Sequence, residues 1–450
     1  MKYASINPYT NHTIREFPFD PLPDIDASKK AFNIWRKLTI KEREKHLVRV
    51  ADLLEKNLGK YAKLITLEMG KPLREAEYEI NKTLAAFDYY ITHAPEFLQD
   101  RVVHTQASKS YIRFEPLGII FSVMPWNFPF WQVFRFAIPA LISGNVTILK
   151  HAPNVPQCAQ AIGQLFVDAD TPLNLFKNYF LTNEDAARVI ADPRVAGVSF
   201  TGSASTGSHL AGLAGIHIKK CVMELGGNDA FIVLEDADLD FTIAGAIKSR
   251  SINSGQSCNA AKRFIVVEKV AEKFTSKLIE AVKKLKTGDP LDETTQVGPL
   301  ARKDLLEKVN QQVADSVAKG AIAHSANEVA NMEGNFFAPT VLTNVKPGTP
   351  AFDEEIFGTV WSVVVAKDTN EAIALANNSI YGLGVSIWTA DITKAEGYVS
   401  ELEAGNVFIN DIVKSDARLP FGGVKKSGFG RELSEHGLKE FVNIKTVYFH

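Results

Sequence analysis

Cysteine is scarce: 450 residues contain only Cys158, Cys221 and Cys258, with no CxxC pair and no cluster with histidine. That spacing suggests neither a disulfide framework nor a metal site, and it fits a reducing compartment. An excess of charge of either sign is also missing. Fifty Lys and Arg stand against 52 Asp and Glu, a formal net charge of -2, so neither nucleic acid nor an anionic membrane is expected as the main partner. Long apolar runs are lacking too. The most apolar stretch, Phe128 to Ile142, is broken by Arg135 and too short to span a bilayer, and Met1 to Pro8 lacks the layout of a secretory signal. A soluble cytoplasmic protein that handles small molecules is expected. No low-complexity linker or internal repeat divides the chain.

What is present is an ordered α/β alternation. Apolar residues recur at helical spacing over Ser28 to Leu58, Tyr61 to Met69 and Leu73 to Leu98. Short β-prone pieces between Val102 and Glu115 then suggest a hairpin. Gly118 to Met124 is an almost unbroken apolar run, as suits a parallel strand buried on both faces. It is followed by the Pro125-Trp-Asn-Phe-Pro129 turn, in which Pro129 is expected in the first turn of the next helix. Strand and helix alternate through Val146 to Lys150, Pro156 to Asp168 and Val195 to Phe200, and then through Ala230 to Leu234, Leu239 to Ser251 and Arg263 to Val267. This rhythm predicts doubly wound parallel sheets. The β-prone tail Phe441 to Phe449 would be an exposed edge if unpaired, so it is expected to pair, with another subunit as a candidate partner.

One cysteine stands apart. Ser251-Ile-Asn-Ser-Gly-Gln-Ser-Cys258 sets a thiol in a small, polar, glycine-containing run between apolar segments. Such a setting suits a partly exposed reactive thiol, with Gly255 letting backbone come close to a bound group. Gly202 to Gly207 follows a predicted strand without the lysine of a P-loop and without GxGxxG, so on its own it is a weak phosphate signal. Asn127 lies at a strand-to-helix junction, where open α/β sheets bind ligands.

Seven motifs occur in order: Pro125-Trp-Asn-Phe-Pro129, Lys150, Phe200-Thr-Gly-Ser203, Glu224-Leu-Gly-Gly227, Gly255-Gln-Ser-Cys258, Glu355-Ile-Phe-Gly358 and Pro420-Phe-Gly-Gly423. As a set they resemble the NAD(P)-dependent aldehyde dehydrogenases over essentially the whole chain. The resemblance implies an α/β fold of two doubly wound domains plus a small β oligomerisation element. The dinucleotide-binding domain would comprise residues 1–96 and 116–224, the catalytic domain 225–415, and the oligomerisation element 97–115 and 436–450, in a homodimer or homotetramer.

The chemistry of aldehyde oxidation accounts for the residue types. Thiolate attack by Cys258 would give a thiohemiacetal, and Asn127 with the Cys258 N–H would hold its oxyanion. Glu224 would activate water to hydrolyse the thioester. For the cofactor, NAD or NADP, the resemblance implies contacts from Trp126, Lys150, Pro153, Gly202, Ser203, Glu355 and Phe357. Many NAD-specific relatives carry an acidic residue where this chain has Pro153, so use of both dinucleotides is expected. Thr359 replaces the family's usual proline.

Arg135 lies about two helical turns beyond Asn127, so both can face one cavity. A guanidinium in such apolar company needs an anion, either a protein carboxylate or that of a substrate. The relatives this chain most resembles are succinate semialdehyde dehydrogenases. By that likeness Arg135 and Ser415 would hold the substrate carboxylate and Phe421 would wall the tunnel. Retention of Glu224 argues against an acylating enzyme that uses coenzyme A. Retention of Cys258 and Asn127 argues against a non-catalytic binding protein.

Overall fold

The amino-terminal layer is helical because its apolar residues fall on one face, but it is cut by its own caps. The expected segment Ser28 to Leu58 is two helices, Ile25–Trp35 and Ile40–Lys56. The second restarts at a capping box: the Thr39 hydroxyl accepts from the Glu42 N–H while the Glu42 carboxylate accepts from the Thr39 N–H. Leu58–Met69 ends at Gly70, whose φ of 75° supplies a left-handed cap. The 25-residue helix Leu73–Phe97 follows. The structure, a computed structural model, describes residues 2–326, 329 and 332–450.

Three larger sheets, beside two of only two strands each, organise the remainder. The first has the order Gly428–Phe429, Lys220–Glu224, Val195–Thr201, Ile119–Met124, Val146–His151, Phe176–Asn178. All its pairs are parallel except that of the short strand Gly428–Phe429, which runs antiparallel to Lys220–Glu224. From Ile119–Met124 the chain winds outward through two strands, then returns to the other side at Val195–Thr201. The carboxyl ends of these two neighbouring strands therefore flank a topological switch point, where open sheets bind ligands.

The second sheet has the order Ile322–Ser325, Thr340–Thr343, Val360–Ala366, Arg263–Val267, Ala230–Val233, Gly384–Trp388, Asn406–Ile409. Only Ile322–Ser325 is antiparallel to its neighbour. Its central strands Ala230–Val233 and Arg263–Val267 are buried along their whole length, as helices on both faces require.

The third sheet joins Arg101–Val102, Lys109–Pro116 and Val442–Phe449. Here the carboxyl-terminal strand finds its partner inside its own chain, pairing antiparallel from Val442 with Pro116 to Phe449 with Lys109. The main-chain groups on that side are thus satisfied without a second subunit. Pro129 also departs from expectation. The helix begins at Trp131, and the Pro129 carbonyl lies 2.9 Å from the His151 ring nitrogen in the turn before it. Among the described residues no helix is long and apolar enough to cross a membrane.

Candidate active site

The loop before Cys258 is held in a conformation most residues avoid. Asn253, Ser254 and Gly255 have successive φ values of 52°, 53° and 79°. Left-handed geometry at two non-glycine residues costs energy, and it persists because each is tied down. The Asn253 amide donates to the carbonyls of Asn127 at 2.7 Å and Gln256 at 3.1 Å, and its N–H donates to Glu75. The Ser254 hydroxyl accepts from Gly298 N–H at 2.9 Å. At Gly255 the close approach is to protein, not to a ligand as the sequence suggested. A Cβ there would lie 2.3 Å from the Gly358 carbonyl carbon and oxygen.

Asn127 and Cys258 meet across this loop. The Asn127 amide donates one hydrogen to the Gln256 carbonyl at 3.1 Å, leaving its second for another acceptor. Among the described residues the Cys258 N–H has no acceptor. The half-buried thiol borders two cavities at once. Burial pushes its pKa up to about 11, opposed chiefly by the positive charges of Lys262 and Arg135. Lys262 is fully enclosed and donates to the carbonyls of Ser257 and Cys258, which fixes a cation beneath the nucleophile.

One face of the helix Leu73–Phe97 assembles this region. Glu75, Glu79 and Lys82 follow at spacings of four and three, which places them on one side. Glu75 accepts the Asn253 N–H. Glu79 accepts the N–H groups of Phe130 at 2.8 Å and Trp131 at 3.0 Å, capping the helix Trp131–Ile142, which has no side-chain cap of its own. The other Glu79 oxygen pairs with the fully buried Lys71.

Glu224 ends the strand Lys220–Glu224 and is 2% exposed. Its Oε1 has no hydrogen-bond partner and lies where a Cβ on Gly422 would come within 2.7 Å, so this space depends on glycine. Burial and then the nearby Glu432 carboxylate raise its pKa well above the usual range, opposed by Arg135 and Arg431. Glu224 borders neither cavity; it faces the Arg135 and Glu432 cluster.

A cavity of about 710 Å³ opens on one side of Cys258, at the switch point of the first sheet. Trp126, Lys150, Pro153, Gly202, Ser203, Glu355 and Phe357 all line it. Ser203 caps the helix Ala204–Ile216, accepting from Thr206 N–H, and the first N–H groups of that helix, at Ala204 and Ser205, lack intrahelical acceptors. Burial lowers the Lys150 pKa to about 8. Glu355 accepts Gly227 N–H at 2.9 Å through one oxygen, leaving the other for a ligand. The Trp126 and Phe357 rings meet edge to face at 5.9 Å. Free helix N–H groups for phosphates, a carboxylate and an ammonium for ribose hydroxyls, and aromatic walls for a ring are a donor set that fits a dinucleotide.

A profile described as the aldehyde dehydrogenase family matches residues 1–447. The chain belongs to that family. It is 46% identical to a probable NADP-dependent succinate-semialdehyde dehydrogenase of Synechocystis, with 100% of both chains covered. It is 44% identical to the NAD(P)-dependent succinate semialdehyde dehydrogenase Sad of Escherichia coli, covering 99% of this chain and 97% of that one. The solved succinic semialdehyde dehydrogenase of Streptococcus pyogenes in complex with NADP superposes with a TM-score of 0.96 at 37% identity over 99% of each chain.

On the other side of Cys258 this aldehyde dehydrogenase has a cavity of about 1040 Å³, bordered by Lys82, Trp131, Arg135, Ser415 and Phe421. Its lining corrects one expectation. Arg135 is not an unpaired guanidinium awaiting a ligand: it is 2% exposed, ion-paired with the buried Glu432 and laid over the Phe421 ring at 5.2 Å. Glu432 arrives from a carboxyl-terminal segment that no spacing rule connects to residue 135. Ser415 is buried at the cavity wall and accepts a hydrogen bond from Lys82 at 2.7 Å. Sequence reasoning missed Lys82, Lys262, Glu75, Glu79 and Glu432. The spacing of 75, 79 and 82 was the available signal, but it reads equally well as a solvated helix face.

Proposed function

We propose that the protein oxidises succinate semialdehyde to succinate through Cys258, with Asn127 and Glu224 as partners and with NAD or NADP as oxidant. The observation that carries this reading is the position of Cys258 between the two cavities, one with a dinucleotide's donor set and the other with cationic side chains and apolar walls. The names of the full-length relatives support the substrate, and the similarity of this chain to a relative solved in complex with NADP supports the cofactor.

In this reading the Cys258 thiolate adds to the aldehyde carbon, and the Asn127 amide and Cys258 N–H receive the oxygen as it becomes an alkoxide. Loss of one such donor typically costs about 2.7–4 kcal/mol. A nicotinamide dinucleotide, held by Lys150, Ser203 and Glu355, would supply the oxidant that takes hydride and turns the thiohemiacetal into a thioester. Glu224 then accepts a proton from the water that attacks the thioester carbon, and Cys258 leaves as thiolate. Overall, aldehyde, water and oxidised dinucleotide give carboxylate, reduced dinucleotide and two protons. Burial raises the Glu224 pKa, which strengthens it as a base and makes it more readily protonated as pH falls. To act, its side chain must turn from the Arg135 and Glu432 cluster toward Cys258; its Oε1 holds no hydrogen bond where it stands.

Pro153 leaves the ribose end of the dinucleotide cavity without a carboxylate to repel a 2′-phosphate, which supports use of both NAD and NADP. The test is steady-state reduction of each dinucleotide with succinate semialdehyde and with butanal. Preference for the carboxylated aldehyde with both cofactors supports the reading. Equal efficiency with the two aldehydes refutes the substrate assignment.

A further inference from the structure

We propose that Lys262 is a positioning residue for the nucleophile: from behind Cys258 its ammonium turns the Cys258 N–H toward the reacting oxygen and sets a fixed positive charge against the thiolate. The inference rests on the reading of Cys258 as nucleophile and deepens it.

An ammonium shut away from water needs acceptors for its N–H groups. The Lys262 ammonium gives two of its three to consecutive carbonyls, those of Ser257 at 2.9 Å and of Cys258. Glu355 lies 3.8 Å away as its counter-ion. Lys262 borders neither cavity, whereas Ser257 borders one and Cys258 both. The two carbonyls therefore point away from the cavities. In a trans peptide the C=O and the N–H point in opposite directions within one plane, so drawing the Ser257 oxygen toward Lys262 turns the Cys258 N–H outward. That N–H is the one left without an acceptor. A hydrogen bond at the carbonyl also polarises the peptide and strengthens its N–H as a donor.

Lys262 is itself held in place. Its own N–H and that of Arg263 donate to the Asp229 carbonyl at 2.9 and 3.2 Å, at the start of the strand Arg263–Val267. The Cys258 carbonyl is hemmed in as well, for a Cβ on Gly227 would lie 2.6 Å from its oxygen. Gly227 in turn donates to Glu355. One buried cation thus ties together the nucleophile, the segment that follows Glu224 and the carboxylate at the dinucleotide cavity. The charged and titratable groups facing it are Glu355, Asp229, Arg250 and Cys258. Burial lowers the Lys262 pKa, and Glu355, then Asp229, oppose that.

The test compares wild type, Lys262→Gln and Lys262→Met. Glutamine can still donate to a carbonyl but carries no charge, and methionine can do neither. Iodoacetamide labelling of Cys258 from pH 7 to 9, without aldehyde or dinucleotide and followed by the mass of its peptide, reads the charge. Both variants should label roughly tenfold more slowly at each pH, with the wild-type slope. Steady-state oxidation of butanal and of succinate semialdehyde reads the orientation. In Lys262→Met kcat should fall roughly 100-fold with both aldehydes, in Lys262→Gln by less, and KM should stay within about threefold. Should Lys262→Met not fold, Lys262→Gln against wild type decides by the same two readouts. Labelling at the wild-type rate overturns the proposal even where turnover is lost, because a lysine that only supports the fold leaves thiol ionisation alone. Slower labelling with unchanged kcat overturns it too. If instead fully labelled wild type still oxidises aldehyde, the reading of Cys258 as nucleophile falls, and this assignment with it.

Discussion

Replacing Gly255 by alanine should disable the enzyme without touching a reacting group. A methyl group at this position would lie 2.3 Å from the carbonyl carbon and oxygen of Gly358 and 2.8 Å from the nitrogen of Thr359. Carbon and its neighbours settle at about 3.5 Å or more, so one loop must retreat by about 1 Å. The left-handed φ adds about 1–2 kcal/mol for any residue with a Cβ. Gly358 is poorly placed to yield. The Arg250 guanidinium, fully buried, donates to the carbonyls of Ile356 and Gly358 and pins that loop to the helix Leu239–Ser251. The displacement therefore falls largely on the segment carrying Cys258, three residues on. A misplacement of this size costs about a hundredfold in rate when it affects attacking geometry. Steady-state kinetics should show kcat/KM down by about that factor. The KM for dinucleotide should rise as well, because Glu355 and Phe357 belong to the opposing loop. Gly59→Ala, where nothing lies within 4 Å of the new Cβ, should behave as wild type. If Gly255→Ala keeps activity within threefold of wild type and an unchanged dinucleotide KM, the contact does not position the thiol and the reasoning fails.

Glu224→Gln should still form one equivalent of reduced dinucleotide in a rapid burst and then stall, with steady turnover reduced about 10²- to 10⁴-fold, which stopped-flow absorbance resolves. In the free enzyme, alkylation of Cys258 by iodoacetamide should accelerate about tenfold per pH unit from pH 7 to 9 with no plateau, because its thiol ionises only near 11. A plateau near pH 7 would contradict that. Glu79→Ala removes two helix-capping acceptors and leaves Lys71 buried without its carboxylate. A destabilisation of about 3–5 kcal/mol is expected, seen as a lower denaturant midpoint. An unchanged midpoint would mean that the Lys71 and Glu79 pair carries no stability.

Local chemistry made the outline of the proposed site legible in the chain. The apolar run Ile119–Met124 reads as a buried parallel strand, and the polar loop before Cys258 reads as a poor place for a packing thiol. Both conclusions follow from a few adjacent residues. The order of motifs added the pairing of Asn127, Glu224 and Cys258 with a dinucleotide site. What escaped were interactions between residues far apart in sequence. Glu79 reads as one more charge on an amphipathic helix until Phe130 and Trp131 are seen to point their N–H groups at it. Lys82 reads as solvated until Trp131 and Ser415 surround it. Arg135 was correctly expected to need an anion, but its own neighbourhood could not name Glu432. The carboxyl-terminal strand illustrates the same limit: its β propensity was evident, whereas its partner at Lys109–Pro116 lay more than three hundred residues away.

The pairing of Gly428–Phe429 with the strand that ends in Glu224 also bears on when the enzyme becomes one during its synthesis. A ribosome that has reached residue 410 has already produced Cys258, Asn127 and every strand of the second sheet. The growing chain still lacks the strand that closes the edge beside Glu224, the counter-ion of Arg135, and the Phe421 and Ser415 walls. Domains generally fold as units while they emerge, but this amino-terminal one must wait for the last segment to be released before its edge is covered. A premature stop soon after residue 410 would therefore yield a chain that carries Cys258, Asn127 and Glu224 but lacks one wall of its larger cavity.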